Sequence, residues 1–420
     1  MNVSILRIAL MLIVVTMAFP AAAQAGLYEN LAGESALQWA PLPDSEKGKT
    51  LEQALLTPAK KDKYLDHRYE PVVMVRTIFA TTMEDRYTRI LDDGKELVLD
   101  STKMDPSLFG HREGFILENV ELGAKGRFND SGFYYGVKFE LVPREKDGNR
   151  SSDYLKDAYV GWNKYSVFDV RIGRMKIPFS QVNMKSTGKM PLIYKPTINT
   201  LSPKRQLGGM VTFADPWQVA KLSGGVYNSV KQVTEQLGST DQLLYVGRLE
   251  LSLGNLLGAL DASVGDLEVR IGGNVAYTKM NFDPETEHQY MGFDAHFHYW
   301  IFTLEAEYLI KNFYRDPIDG VSAADQGTGW HVDVTIHAWP GVIDLTGRIE
   351  ETDPDELVHG ANSTLSISEL AKQKKRWFSA GVTLHFTDYA RLDINYVNRQ
   401  ELEGYSFDND VVLGMLQLDL

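Results

Sequence analysis

The sequence predicts an all-β fold: an antiparallel transmembrane β-barrel of about sixteen strands, with short periplasmic turns and long external loops. Three observations carry that prediction. Apolar and polar residues alternate with period two from Pro71 onward, short and long links alternate between the patterned segments, and the chain opens like an exported protein yet contains no cysteine.

Residues 1–25 read as a secretory signal peptide. Arg7 precedes the apolar run IALMLIVVTMAF, and Ala23-Gln24-Ala25 offers a small-residue site for cleavage after Ala25. Residues 26–69 are polar and weakly patterned, with LEQALL at 51–56 the only helical hint, and read as a periplasmic N-terminal extension. With zero Cys, a disulfide framework and a thiolate nucleophile are excluded. Beyond the leader no apolar run approaches the roughly 18 residues of a membrane helix, so residues 70–420 must cross a bilayer as strands or not at all.

The barrel strands follow from alternation. In GFYYGVKFEL, Phe133, Tyr135, Val137, Phe139 and Leu141 share one face, and Lys138 and Glu140 the other. The same split predicts strands near 72–81, 114–126, 131–142, 152–163, 166–175, 206–214, 217–228, 242–253, 267–279, 289–299, 301–313, 328–338, 341–351, 376–386, 390–399 and 411–419. Most have the length a tilted strand needs to span hydrocarbon. FNDSG, WNKYS, ADPW, HYWIF, WPG and FTDYA form tight turns, and long polar links lie between them near 82–113, 143–151, 176–205, 229–241, 314–327, 352–375 and 400–410. The link near 254–266 is longer than this scheme explains. Trp162, Trp217, Trp300 and Trp339 all fall at the short turns, which a barrel gathers at one interfacial rim. A secreted β-sandwich shares the alternation but has no reason to collect its tryptophans there.

If the apolar face meets lipid, the other face lines a lumen. It carries Arg76, Asp169, Arg171, Arg248, Glu250, Arg270, Glu305, Glu307, Lys311, Asp333, Arg348 and Glu350, charges that cost about 2–4 kcal/mol each against hydrocarbon at mid-depth. About sixteen strands leave an aqueous channel.

One segment departs from the acidic balance of the chain, which has 56 acids against 43 bases. KIPFSQVNMKSTGKMPLIYKPTINTLSPKR, 176–205, holds Lys176, Lys185, Lys189, Lys195, Lys204 and Arg205 without one Asp or Glu. Folded into the lumen as a constriction loop, it would place basic groups where solute passes, which selects anions. Its apolar residues Ile177, Phe179, Met190, Leu192, Ile193 and Tyr194 give it something to pack with. Left outside, the same lysines would meet lipid or lipopolysaccharide phosphates, or merely stay solvated.

Residues 157–213, running from DAYVGW through RIGRMKIPFS to SPKRQLGGMVTF, resemble the phosphate-selective porin O and P family. The resemblance lies in the order of parts: a D-A-Y strand, a tight turn, a strand with R-I-G-R-M-K-x-P-F-S, a long loop, and S-P-x-R-x-x-G opening the next strand. It implies a sixteen-stranded, generally trimeric outer-membrane barrel with an inward-folded loop and a basic lumen. It supports Arg171, Arg174, Lys176 and Pro178 at the strand exit, and Pro203 and Arg205 at the loop exit. Two features depart from the pattern: the chain ends in Leu420 rather than an aromatic residue, and Glu250, Glu305, Glu307 and Glu350 weigh against strict phosphate selectivity.

The functional expectation is a Gram-negative outer-membrane porin that passes small hydrophilic solutes passively and prefers anions. Arg171, Arg174, Lys176, Lys185, Lys189, Lys195, Lys204 and Arg205 are its pore-lining residues. Solutes, membrane lipid, lipopolysaccharide and two further copies of the chain are the expected partners; nucleic acid, a cofactor and a metal are not. A non-selective or cation-preferring porin, a barrel hydrolase and a structural or adhesive barrel are the alternatives. Against the hydrolase, Ser379 and His385 are six positions apart on one strand, about 20 Å at 3.3 Å per residue. His296 and His298, with Asp294, His331, Asp333 and His337, lack a specified third ligand and read as polar lumen lining. STGKM at 186–190 lacks the first Gly and the final Ser or Thr of a phosphate loop.

Overall fold

The computed structural model describes residues 70–82, 86–90, 96–99, 114–128, 131–142, 145–146, 149–150, 154–228, 243–254, 267–280, 286–318, 321–354, 374–402, 406–408 and 410–419. The expected signal peptide, the extension at 26–69, most of the 254–266 link and the terminal Leu420 lie outside these residues.

Sixteen strands close into one antiparallel barrel. In chain order they are β1 (Glu70–Thr82), β2 (Gly114–Phe128), β3 (Phe133–Glu140), β4 (Leu155–Trp162), β5 (Phe168–Met175), β6 (Gln206–Ala214), β7 (Ala220–Asn228) and β8 (Leu243–Ser252). There follow β9 (Glu268–Met280), β10 (Thr286–Tyr299), β11 (Phe302–Ile318), β12 (Val321–Trp339), β13 (Ile343–Asp353), β14 (Lys375–Thr387), β15 (Ala390–Glu401) and β16 (Val411–Asp419). Each strand pairs with its chain neighbours, and β1 closes on β16 from Met74↔Asp419 to Thr82↔Val411. Closure leaves no unpaired edge, the condition for strands to face hydrocarbon.

Alternation then sorts the side chains. Phe115, Ile172 and Phe293 point outward at 80%, 68% and 62% exposure, while Arg76, Asp169, Arg248, Glu305 and Arg348 are buried on the inner face. Of the four tryptophans at the short turns, Trp217, Trp300 and Trp339 are exposed beside them, and Trp162 is half-buried, its Nε1 donating to the Ser131 carbonyl at 3.2 Å.

Three details differ from the sequence reading. Residues 314–327 are not a loop, because β11 and β12 continue as a hairpin to Ile318↔Val321. Their period-two signal fades there because VSAADQG offers no apolar face to alternate. The 82–113 link contains short strands at Arg86–Ile90 and Glu96–Leu99, and the first also pairs with Ser406–Asp408. Finally, the inner face is not charged throughout. Tyr227, Leu244, Val246, Ala276, Tyr290 and Leu309 form one buried apolar cluster with Ile177, Phe179, Ile198 and Leu201. Ile78, Ala80, Val397, Val411, Leu413 and Met415 form a second around Ile193.

Candidate functional site

Those two clusters anchor the segment between β5 and β6 against the inner wall. Its backbone makes a short helix, α1 (Gln181–Met184), and two 3-10 turns at Thr187–Lys189 and Thr197–Leu201. Helix ends leave backbone N–H and C=O groups without partners, and here each end is met by a charge. At the start, Ser180 Oγ accepts from Asn183 N at 3.1 Å, and the Glu307 carboxylate accepts from Gln181 N at 3.1 Å and Val182 N at 3.2 Å. At the end, the Lys195 ammonium donates to the carbonyls of Val182 (2.6 Å) and Lys185 (2.9 Å), and Lys176 to those of Met184 (2.9 Å) and Lys185 (2.8 Å).

The wall grips the rest of the segment. Lys185 is paired with Glu305 of β11. Gln417 of β16 donates to the Gly188 carbonyl (2.9 Å), Arg391 of β15 to Met190 (3.1 Å), Arg76 of β1 to Ile193 (2.6 Å) and Arg348 of β13 to Tyr194 (2.8 Å). On the return limb Thr197 Oγ1 donates to Glu350 of β13 at 3.0 Å, and Arg205 meets Asp157 of β4 at 2.7 Å. The contacts extend from the apolar cluster on β7–β11 through β13, β15 and β16 to β1, and reach β4 at Arg205, so the segment crosses the inside of the barrel.

The eight basic residues singled out in the sequence therefore divide. Lys176 and Lys195 cap α1, Lys185 neutralises Glu305, and Arg205 neutralises Asp157. Arg171 is held by Asp169 at 2.9 Å and lies over the rings of Tyr134 and Tyr159, 5.6 and 5.7 Å from their centroids. Arg174 donates to the Lys156 carbonyl at 3.2 Å, and Lys204 to that of Asn199. Lys189 stands close enough to Lys125 of β2 for their charges to repel, and Lys138 of β3 likewise acts on Lys176. Burial, then Arg205 and Lys195, holds Lys176 well below its ordinary value; burial, then Arg205 and Lys204, brings Lys195 down to about 7.

Sequence reading overlooked the wall facing those lysines. Lys138 and Lys156 share Glu121, at 3.1 and 2.5 Å, and Lys156 also meets Glu140 at 2.5 Å. Lys138 was visible on the polar face of β3, but only strand register brings Lys156 and Glu121 beside it. The acids that seemed to line the lumen have a different fate. Glu305, Glu307 and Glu350 are 8%, 3% and 2% exposed because the inserted segment covers them, whereas Glu250 is buried against Arg248 of its own strand at 2.9 Å.

Among the described residues, the histidines of the catalytic and metal alternatives each have another partner. His385 is engaged by Asp344 at 2.9 Å, six positions from Ser379 on β14. His296 contacts Glu305 at 3.0 Å and His298 contacts Thr303 at 2.8 Å. Among the described residues no group of three or more metal-ligating side chains converges.

A closed sixteen-stranded barrel, apolar outside, charged within and crossed by an inserted segment, has the architecture of the outer-membrane porins. Residues 100–251 match the model of the phosphate-selective porin O and P family, in agreement with the resemblance of 157–213. Among curated proteins the chain is 28% identical over 145 residues to an uncharacterized protein of Aquifex aeolicus (strain VF5); the aligned part is 31% of this chain and 33% of that one, about a third of the relative's length. Among solved structures, the outer-membrane channel DcaP of Acinetobacter baumannii is similar at 13% identity and TM-score 0.51, covering 84% of this chain and 97% of that one. The trimer form of the Vibrio cholerae outer-membrane protein OmpT is similar at 12% identity and TM-score 0.51, covering 84% and 99%. At these identities the likeness is one of fold.

Proposed function

We propose that the chain is a diffusion porin of a Gram-negative outer membrane, exported by residues 1–25 with cleavage after Ala25, which passes small hydrophilic solutes down their gradient and prefers anions. Residues 176–205 act as the constriction, and the passage runs between this segment and β2–β4. One observation carries the anion preference: the wall acids Glu305, Glu307 and Glu350 are covered by the segment they hold, whereas Lys189 and Lys176 of the segment stand close enough to Lys125 of β2 and Lys138 of β3 for their charges to repel. Basic groups held close together at a low-dielectric wall raise the local concentration of anions. Assembly as a trimer, with lipid and lipopolysaccharide around it, is supported by the family resemblance and by the trimer form of the OmpT barrel.

The test is the reversal potential of the purified protein in a planar bilayer under a KCl gradient. Chloride preference is expected, reduced or inverted by Lys125→Glu with Lys189→Glu, two residues outside the helix caps and the Glu305 pair. Cation preference in the wild type sinks the anion reading and leaves the porin; folded protein that inserts without carrying current sinks both.

A further inference from the structure

We propose that Glu307, His331, Asp333 and Arg348 form one buried relay that sets the depth of the inserted segment, and with it the width of the passage. The relay begins at the outgoing limb, where the two Glu307 oxygens accept from Gln181 N and Val182 N. Behind Glu307, at 3.9 Å from its Oε2, stands His331 Nε2, which has no hydrogen-bond partner of its own. His331 Nδ1 contacts Asp333 Oδ1 at 3.1 Å, and Asp333 takes both Arg348 Nε (2.7 Å) and Nη2 (2.6 Å). Arg348 Nη1 then donates to the Tyr194 carbonyl on the returning limb at 2.8 Å.

Three adjacent strands, β11 to β13, thus tie two stretches of the segment that are twelve or more residues apart in sequence. All four side chains are at most 5% exposed, so each contact works without competition from bulk water. The four residues act through the backbone of the segment, which makes them positioning residues. Asp333 and Arg348 pair their charges directly, while Glu307, whose cross-strand neighbour on β10 is the carboxylate of Asp294, depends on the two segment N–H groups and on His331 for compensation. Removing one member leaves its neighbours unpaired, so the links are expected to fail together rather than one by one.

This proposal rests on the channel reading above, and its test separates the two. Glu307→Gln keeps the shape of the side chain but presents a donor where one backbone N–H needs an acceptor. In planar bilayers this variant is expected to show single-channel conductance raised roughly twofold, with added open-channel noise. His331→Gln, retained in case the first variant does not fold, is expected to show the same direction. Combining Glu307→Gln with Arg348→Met is expected to add little to either single change. Amide exchange across residues 181–185 of folded protein reads the same displacement without needing current, and protection there should be lost in Glu307→Gln. Wild-type conductance with retained protection in both single variants overturns the relay, as do additive effects in the double variant. If the folded wild type carries no current, the channel reading fails and amide exchange alone decides the relay.

Discussion

Lys195 shows how a single side chain can be structural and electrostatic at once. Its ammonium caps α1 through carbonyls that precede it by 10 to 13 residues, while burial, then Arg205 and Lys204, brings its pKa down to about 7 from an ordinary 10.5. The sign follows from linkage: between those two values the unfolded chain binds more protons at this residue than the folded one, so this residue makes stability rise with pH across that window. Charge in the proposed passage moves the other way. Above about pH 7 the amine still donates hydrogen bonds and the segment stays in place, but one positive charge is lost. Chloride preference is therefore expected to fall between pH 6 and pH 9, with a step near 7, and Lys195→Met is expected to remove that step. Reversal potentials taken at a series of pH values check this, and an unchanged step in the variant would exclude Lys195 as its origin.

At the scale of elements, the hairpin of β3 and β4 is built around two tyrosines that lie flat on the inner wall. Register pairs Tyr134 with Gly161 and Gly136 with Tyr159, so each ring rests on the glycine of the opposite strand. A Cβ at Gly161 would stand 2.2 Å from the Tyr134 ring and one at Gly136 2.6 Å from the Tyr159 ring, leaving no room for any other residue. Arg171 of β5 lies 5.6 and 5.7 Å from the two ring centroids and donates from Nε to the Tyr134 hydroxyl at 2.6 Å, so the seats fix a charge as well as two aromatics. Gly161→Val is expected to destabilise the barrel by about 1–3 kcal/mol, the usual cost of overpacking, read as a lower unfolding midpoint in urea. Gly347→Ala, where a Cβ meets nothing within 4 Å, serves as the control and should leave the midpoint near wild type. The strands themselves were legible because lipid on one side and water on the other impose period two on the sequence. The seats and the grip on the inserted segment were not, because Tyr134 and Gly161 or Lys185 and Glu305 meet only through the closed topology. The inner-face apolar residues Leu244, Val246, Leu413 and Met415 likewise gave no signal, since the segment they pack against is remote in sequence.

For the whole molecule, composition pointed away from the function proposed here. The chain is acidic, with formal net charge −13, yet its interior divides the charges. Wall acids hold the segment from β11 and β13, while on the side proposed as the passage Lys189 and Lys176 stand near Lys125 of β2 and Lys138 of β3. Net charge is a poor guide to selectivity when one sign is committed to holding structure. Two kinds of anion preference are then distinguishable by salt. A tight cage that binds one anion saturates, and its conductance stops rising with concentration. A field from scattered ammonium groups is screened instead, over about 10 Å at 0.1 M salt and about 3 Å at 1 M. Most of the basic groups of the proposed passage already hold a carbonyl or a carboxylate, which leaves a field and few donors for a cage. Conductance is therefore expected to rise almost in proportion to KCl, while chloride preference measured at a fixed twofold gradient declines steadily from 0.1 M to 1 M. Conductance that levels off at millimolar salt would instead require a discrete anion site, and would shift attention from the summed field to whichever lysines of β2–β4 and 176–205 close around the ion.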